Sequence, residues 1–112
     1  MSDCLFCRIA AGDIPADVVA RTDNVVAFRD IEPKAPVHVL VVPIAHVANV
    51  TEAAAQIPDV LAEMVAVAQR VADAEADGEF RLIFNTGPTA GQSVFHAHAH
   101  VLGGAELKWE NA

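Results

Sequence analysis

The sequence predicts an α+β domain in which an antiparallel sheet of about five strands packs against one long helix. Three observations lead there. Runs rich in β-branched residues, "VVART", "VVAFRD", "VHVLVVP", "FRLIFNTG" and "VFHAHAHVL", recur along the chain with turn signals between them. From Pro58 onward, the pairs Val60/Leu61, Met64/Val65, Val67/Ala68 and Val71/Ala72 return at helical spacing. The resulting order, α-β-β-β-α-β-β, keeps strands in runs instead of alternating them with helices, which favours antiparallel pairing.

Each element has a local reason. Asp3 is placed to cap a short helix through "CLFCRIA" that stops near Gly12, with "DIPA" as the exit turn. Asp23-Asn24 joins the first two strands as a hairpin. After the loop "IEPKAP", "VHVLVVP" reads as a strand buried on both faces. Residues 51 to 57 are ambiguous. Pro58 suits the first turn of the long helix and Gly78 its end. "PTAGQS" is a loop, and "VFHAHAHVL" is the last strand before Gly103-Gly104.

Composition bounds the function. A chain of 112 residues supports one domain, residues 1–112, able to bury roughly 60–70% of its unfolded surface. With 54% hydrophobic and 20% charged residues it is far from the composition of disordered chains. A net charge of −8, with seven Lys and Arg scattered along the chain, leaves no basic stripe for a nucleic acid polymer. The N-terminus lacks a basic segment followed by a long apolar one, and "HVLVVPIAHVANV" is interrupted by Pro43 and His46. A cytoplasmic protein without membrane attachment is expected. Cys4-x-x-Cys7 suits a metal or redox pair in a reducing compartment better than a disulfide framework.

Three of the five histidines fall on alternate positions of "GQSVFHAHAHVLGG". In an extended strand, residues two apart share a face at roughly 6.5–7 Å, so His96, His98 and His100 would line one side and Phe95, Ala97, Ala99 and Val101 the other. A solitary histidine on a sheet face is ordinarily a solvated one. Three in strict alternation, flanked by Gly-Gln-Ser and Gly-Gly, argue for a site. Two adjacent members could share a metal ion, so a metal hydrolase is a rival reading.

"HAHAHVL" resembles the histidine triad (HIT) signature, and "GQSVFHAHAHVLGG" resembles the Hint-like branch of nucleoside phosphoramidases. The similarity extends through "AFRDIEPKAPVHVLVVPIAHV", "FNTG" and Trp109. Two positions depart from the family pattern. Ala97 and Ala99 are smaller than usual, implying close packing behind the strand, and Arg29 is an unusual neighbour for the acid that follows it.

The resemblance implies a HIT fold and a hydrolase acting on purine nucleoside 5′-phosphoramidates. His98 would be the nucleophile, forming a nucleotidyl-imidazole that water cleaves. His100 and His38 would contact phosphate and manage protons, with Ser93 and Gln92 donating to phosphate and leaving group and Gly91 and Val94 completing that loop. Asp30 would accept from both ribose hydroxyls, Phe6, Ile14, Phe28 and Ile31 would sandwich the purine, and Asn85 would contact ribose or phosphate. Cys4, Cys7, His46 and His96 would hold a structural zinc, with no organic cofactor. A homodimer is implied, joined through the long helix and a strand. A dinucleoside polyphosphate hydrolase and a nucleotide-binding module without turnover remain as alternatives.

Overall fold

The computed structural model describes residues 4–109. Among these, α1 (Leu5–Ala10), β1 (Val18–Arg21), β2 (Val25–Arg29), β3 (Val37–Pro43), α2 (Val50–Gln56), α3 (Pro58–Glu75), β4 (Phe80–Ile83) and β5 (Ala99–Gly103) follow in that order, with a 3-10 turn at Pro88–Ala90 before β5. The strands form one antiparallel sheet of order β1-β2-β3-β5-β4. This is the predicted α+β class. Three elements differ from expectation, the first being β4, which covers only the opening half of "FRLIFNTG" and ends at Ile83. The ambiguous stretch 51–57 is largely α2, capped by Asn49, whose Oδ1 accepts the Glu52 N–H at 2.9 Å. The last strand starts at Ala99, five residues later than expected, because residues 94–98 leave the sheet.

Two layers of side chains cover the sheet, and parity decides which residue goes where. Val25 and Ala27 of β2, Val37, Val39 and Val41 of β3, and Ala99 and Val101 of β5 pack with Met64, Val67, Ala68 and Val71 of α3. Val65, expected in that helical stripe, faces out and is exposed. Ala97 and Ala99 are each 1% exposed: Ala99 packs closely beneath α3, while Ala97 packs in a separate cluster with Val47 and Ala53 of α2. The opposite parity, Val26, Phe28, Leu40 and Val42, packs against Phe6, Ile9 and Ala10 of α1. β3, central and entirely buried, belongs to both layers.

Turn chemistry closes the elements. The Thr22 hydroxyl accepts the N–H groups of Asn24 and Val25, fixing the predicted hairpin. Gly78, at φ +80, gives its N–H to the Ala72 carbonyl and ends α3. Asp3 lies outside the described residues. The cap of α1 is Cys4, whose Sγ accepts the Cys7 N–H at 3.4 Å.

Candidate active site

Strand register assembles the site on the sheet face opposite α3. His100 pairs with Leu40 and His38 with Leu102, so the two histidines are diagonal neighbours of the same parity on β3 and β5. Asp30 follows β2 and continues its pairing, giving its N–H to the His38 carbonyl at 3.0 Å. Phe28, Asp30, His38, Leu40, His100 and Leu102 therefore share one face.

Hydrogen bonds fix the imidazole tautomers. The Lys34 N–H is donated to His38 Nδ1 at 3.0 Å, which places the proton of the neutral ring on Nε2. That nitrogen lies 3.0 Å from His100 Nδ1 and 3.4 Å from Asp30 Oδ2. His100 accepts through Nδ1 and keeps its own proton on Nε2. His98 is set the other way: Nδ1 donates to the His96 carbonyl at 2.8 Å, leaving Nε2 with its lone pair.

Burial favours the neutral form of His100 and His38. The His100 pKa falls to about 4, mainly through desolvation and then through repulsion by neighbouring His98 and His38, against a weaker pull from Asp30. His38 is also lowered, by burial first and by Lys34, with Asp30 opposing.

Two cavities flank the histidines. One, of about 260 Å³, is lined by Asp30, His38, Asn85, His100, Lys34 and Leu102 among others. The second, of about 390 Å³ and mainly apolar, is lined by Phe6, Ile9, Phe28, Leu40, Ile31 and Asp30 among others. Asp30 is the residue common to both. His98 lines neither cavity, but its ring centroid lies 5.0 Å from that of Phe6, in the wall of the apolar one, and 5.1 Å from that of His100, in the wall of the other.

The expected purine contacts divide. Phe6 and Phe28 are buried in the wall of the apolar cavity, while Ile31 sits on its rim, 95% exposed. Ile14 packs beneath, against the α1 cluster. Leu5, Ile9 and Leu40 were not expected in the wall. Leu40 was accessible from parity, being two residues beyond His38 and opposite His100. Arg29, of the other parity, makes a two-pronged pair with Glu75 at 2.8 and 3.0 Å and a 3.4 Å pair with Asp17.

The loop before β5 requires a correction. Gln92 was expected to donate to a phosphate, yet it is buried, and its Nε2 donates to the carbonyls of Ala48 at 2.7 Å and Val94 at 3.0 Å. Its Oε1 accepts the Gly87 N–H at 2.9 Å. Both amide protons are committed, so Gln92 staples the loop and has no donor to spare. Gly91 and Ser93 are exposed on that loop, Val94 is half-buried, and Phe95, expected with Ala97 and Ala99 on the face opposite the histidines, is exposed.

His96 belongs to a separate centre. It is fully buried and gives Nε2–H to the Pro43 carbonyl at 2.7 Å, so Nδ1 holds a lone pair. Cys4 Sγ and Cys7 Sγ lie 3.3 Å from that atom and His46 Nδ1 lies 3.2 Å away. Cys7 Sγ is also 3.3 Å from His46 Nδ1. Tetrahedral zinc, with bonds of about 2.3 Å to sulfur and 2.0–2.1 Å to nitrogen, sets such donor atoms about 3.3–3.6 Å apart. The four residues fit a closed metal site. Burial, partly offset by the Pro43 contact, lowers the His96 pKa and keeps this ring in its ligating form.

Known proteins share this architecture. The HIT domain profile matches residues 11–107. A purine nucleoside phosphoramidase of Escherichia coli (strain K12) is 40% identical over 107 residues, covering 94% of this chain and 90% of that protein. A HIT family hydrolase from Legionella pneumophila Philadelphia 1 superposes with a TM-score of 0.91 at 42% identity, over 98% of this chain and 100% of that one. A zinc-bound histidine triad family protein from Mycobacterium smegmatis does so at 0.80 and 35% identity, over 96% and 81%. Matched by the family profile over most of its length, and alike in sequence and overall structure to proteins of that family, this chain belongs to the HIT domain family.

Proposed function

We propose that the protein hydrolyses purine nucleoside 5′-phosphoramidates, with His98 as nucleophile. His98 Nε2 attacks phosphorus, the P–N bond to the amine breaks, and a nucleotidyl-imidazole forms. Water then attacks the same phosphorus, releasing the nucleoside monophosphate and restoring the imidazole. The fixed His98 tautomer carries this reading: the 2.8 Å bond to the His96 carbonyl holds the proton on Nδ1 and leaves the Nε2 lone pair free for attack.

The other residues follow from the cavities. The apolar cavity takes the purine against the wall formed by Phe6 and Phe28, whose rings touch edge to face at 5.6 Å, and the polar one takes the phosphate beside His38 and His100. Asp30, common to both, sits where a ribose lies between base and phosphate and offers acceptors to its hydroxyls. His100 presents Nε2–H to the phosphoryl group, and the negative charge of bound substrate raises its proton affinity so that it can assist the departing amine. Asn85, Ser93 and the loop backbone at Gly91 and Val94 supply neutral donors. Zinc held by Cys4, Cys7, His46 and His96 supplies structure only, since a closed site has no open position for water.

The reading includes a homodimer. β4 is an outer strand whose residues are all half-buried, and Val65 of α3 is exposed. No helix among the described residues is long and apolar enough to cross a membrane, in keeping with a cytoplasmic enzyme. The purified protein should release ammonia and AMP from adenosine 5′-phosphoramidate faster than it cleaves a dinucleoside polyphosphate. Nucleotide binding without turnover would reject the reading.

A further inference from the structure

We propose that Cys4 and Cys7 form a peroxide-oxidisable pair whose metal-bound state positions the His98 nucleophile. The inference rests on the metal reading of the Cys4, Cys7, His46 and His96 cluster.

Position comes first. His96 occupies the irregular stretch 94–98, ahead of β5, so no ladder of strand hydrogen bonds orients its carbonyl. That carbonyl fixes the His98 tautomer. Its direction is set by the Ala97 N–H to the Val47 carbonyl at 2.7 Å, by His96 Nε2–H on Pro43, and by the donors around His96 Nδ1. The same cluster anchors α1 through its capping residue, and α1 carries Phe6, which stands edge-on to His98 at 5.0 Å and 83°. One cluster therefore holds the tautomer anchor and one wall of the apolar cavity.

Accessibility comes second. Cys4 and Cys7 are only half-buried and His46 is exposed, so the outer side of the cluster is open to a small oxidant. All four donor atoms lie within 4.8 Å of one another, which brings the two sulfurs within reach of a bond after modest movement. Hydrogen peroxide attacked by one thiolate gives a sulfenic acid and one water. The second thiolate displaces the hydroxyl to form the disulfide, with two protons consumed and two waters formed overall. The two sulfurs lose two electrons, the peroxide oxygens gain them, and Zn²⁺ departs because both anionic ligands are gone. A thiol reductant with added zinc reverses the change.

The test follows the zinc-loaded protein, once metal analysis has established about one zinc per chain, during titration with hydrogen peroxide. Metal release is read with a chromogenic chelator, thiols by titration, and the His98 tautomer by long-range ¹H–¹⁵N imidazole spectra. The expected result is one zinc and two thiols lost together, in a chain that keeps its helical and sheet signal. His98 should pass from pure Nδ1–H to a tautomer mixture, with kcat falling at least tenfold and returning on reduction with zinc. A chain purified without metal would sink the metal reading and this inference with it. Zinc release that leaves the His98 tautomer and kcat unchanged would overturn the inference alone, as would global unfolding, which would make the cluster a general staple. The Cys4→Ser and Cys7→Ser double variant, unable to form the disulfide, should lose its response to peroxide while showing the mixed tautomer from the start.

Discussion

His98 gives its Nδ1 proton to the carbonyl of His96, two residues before it, at 2.8 Å. One triad member thus prepares another through the backbone, while its own ring is engaged elsewhere. On the proposed reading, the alternating histidines divide into a metal-type ligand, a nucleophile and a proton carrier.

The ribose contact is testable by affinity. Asp30 offers only acceptors, so a nucleotide lacking the 2′-hydroxyl leaves one without its donor at a cost of about 1–3 kcal/mol. AMP should bind roughly 5- to 150-fold more tightly than dAMP by calorimetry. Equal affinities would remove Asp30 from the ribose.

Gln92 predicts a stability effect. Gln92→Ala would orphan the carbonyls of Ala48 and Val94 and the Gly87 N–H. Loss of about 1–3 kcal/mol is expected, read as a lower urea midpoint with unchanged slope. Unaltered stability with a raised KM would instead return Gln92 to the phosphate.

Acid should destabilise the fold through His100. Its folded pKa, about 4, lies below the ordinary value of 6.5, so between these values the unfolded chain binds more protons. Stability is then complete above about pH 6.5 and falls as pH drops toward 4, by an amount on the order of 3 kcal/mol at most. His38 is shifted in the same direction by burial. Denaturant titrations should show that His100→Asn flattens this slope relative to the parent chain. An unchanged slope would place the titration elsewhere.

Much of this was legible in the sequence because sheet parity is a period of two. "VHVLVVP" gave β3 with its bounds, and the alternation of Ala99 and Val101 with His100 gave the two faces of β5. The start of β5 was not legible, since His96 and His98 continue the strand pattern while tertiary bonds to Pro43 and Val47 draw residues 94–98 off the sheet. Gln92 escaped for a similar reason: a carboxamide beside a phosphate loop and one stapling that loop look alike until Ala48, 44 residues away, is beside it. Ile31 matched a motif by position, but the turn after β2 leaves it on the rim.

The nucleophile is the central claim, and trapping it is the most direct test. Acid-labile P–N bonds survive alkali, so rapid quenching at alkaline pH during turnover of adenosine 5′-phosphoramidate, followed by peptide mass spectrometry, should place an adenylyl group on His98. His98→Ala should retain AMP binding and lose at least a thousandfold in kcat. No adduct, together with substantial turnover by a contaminant-free His98→Ala protein, would contradict the covalent mechanism.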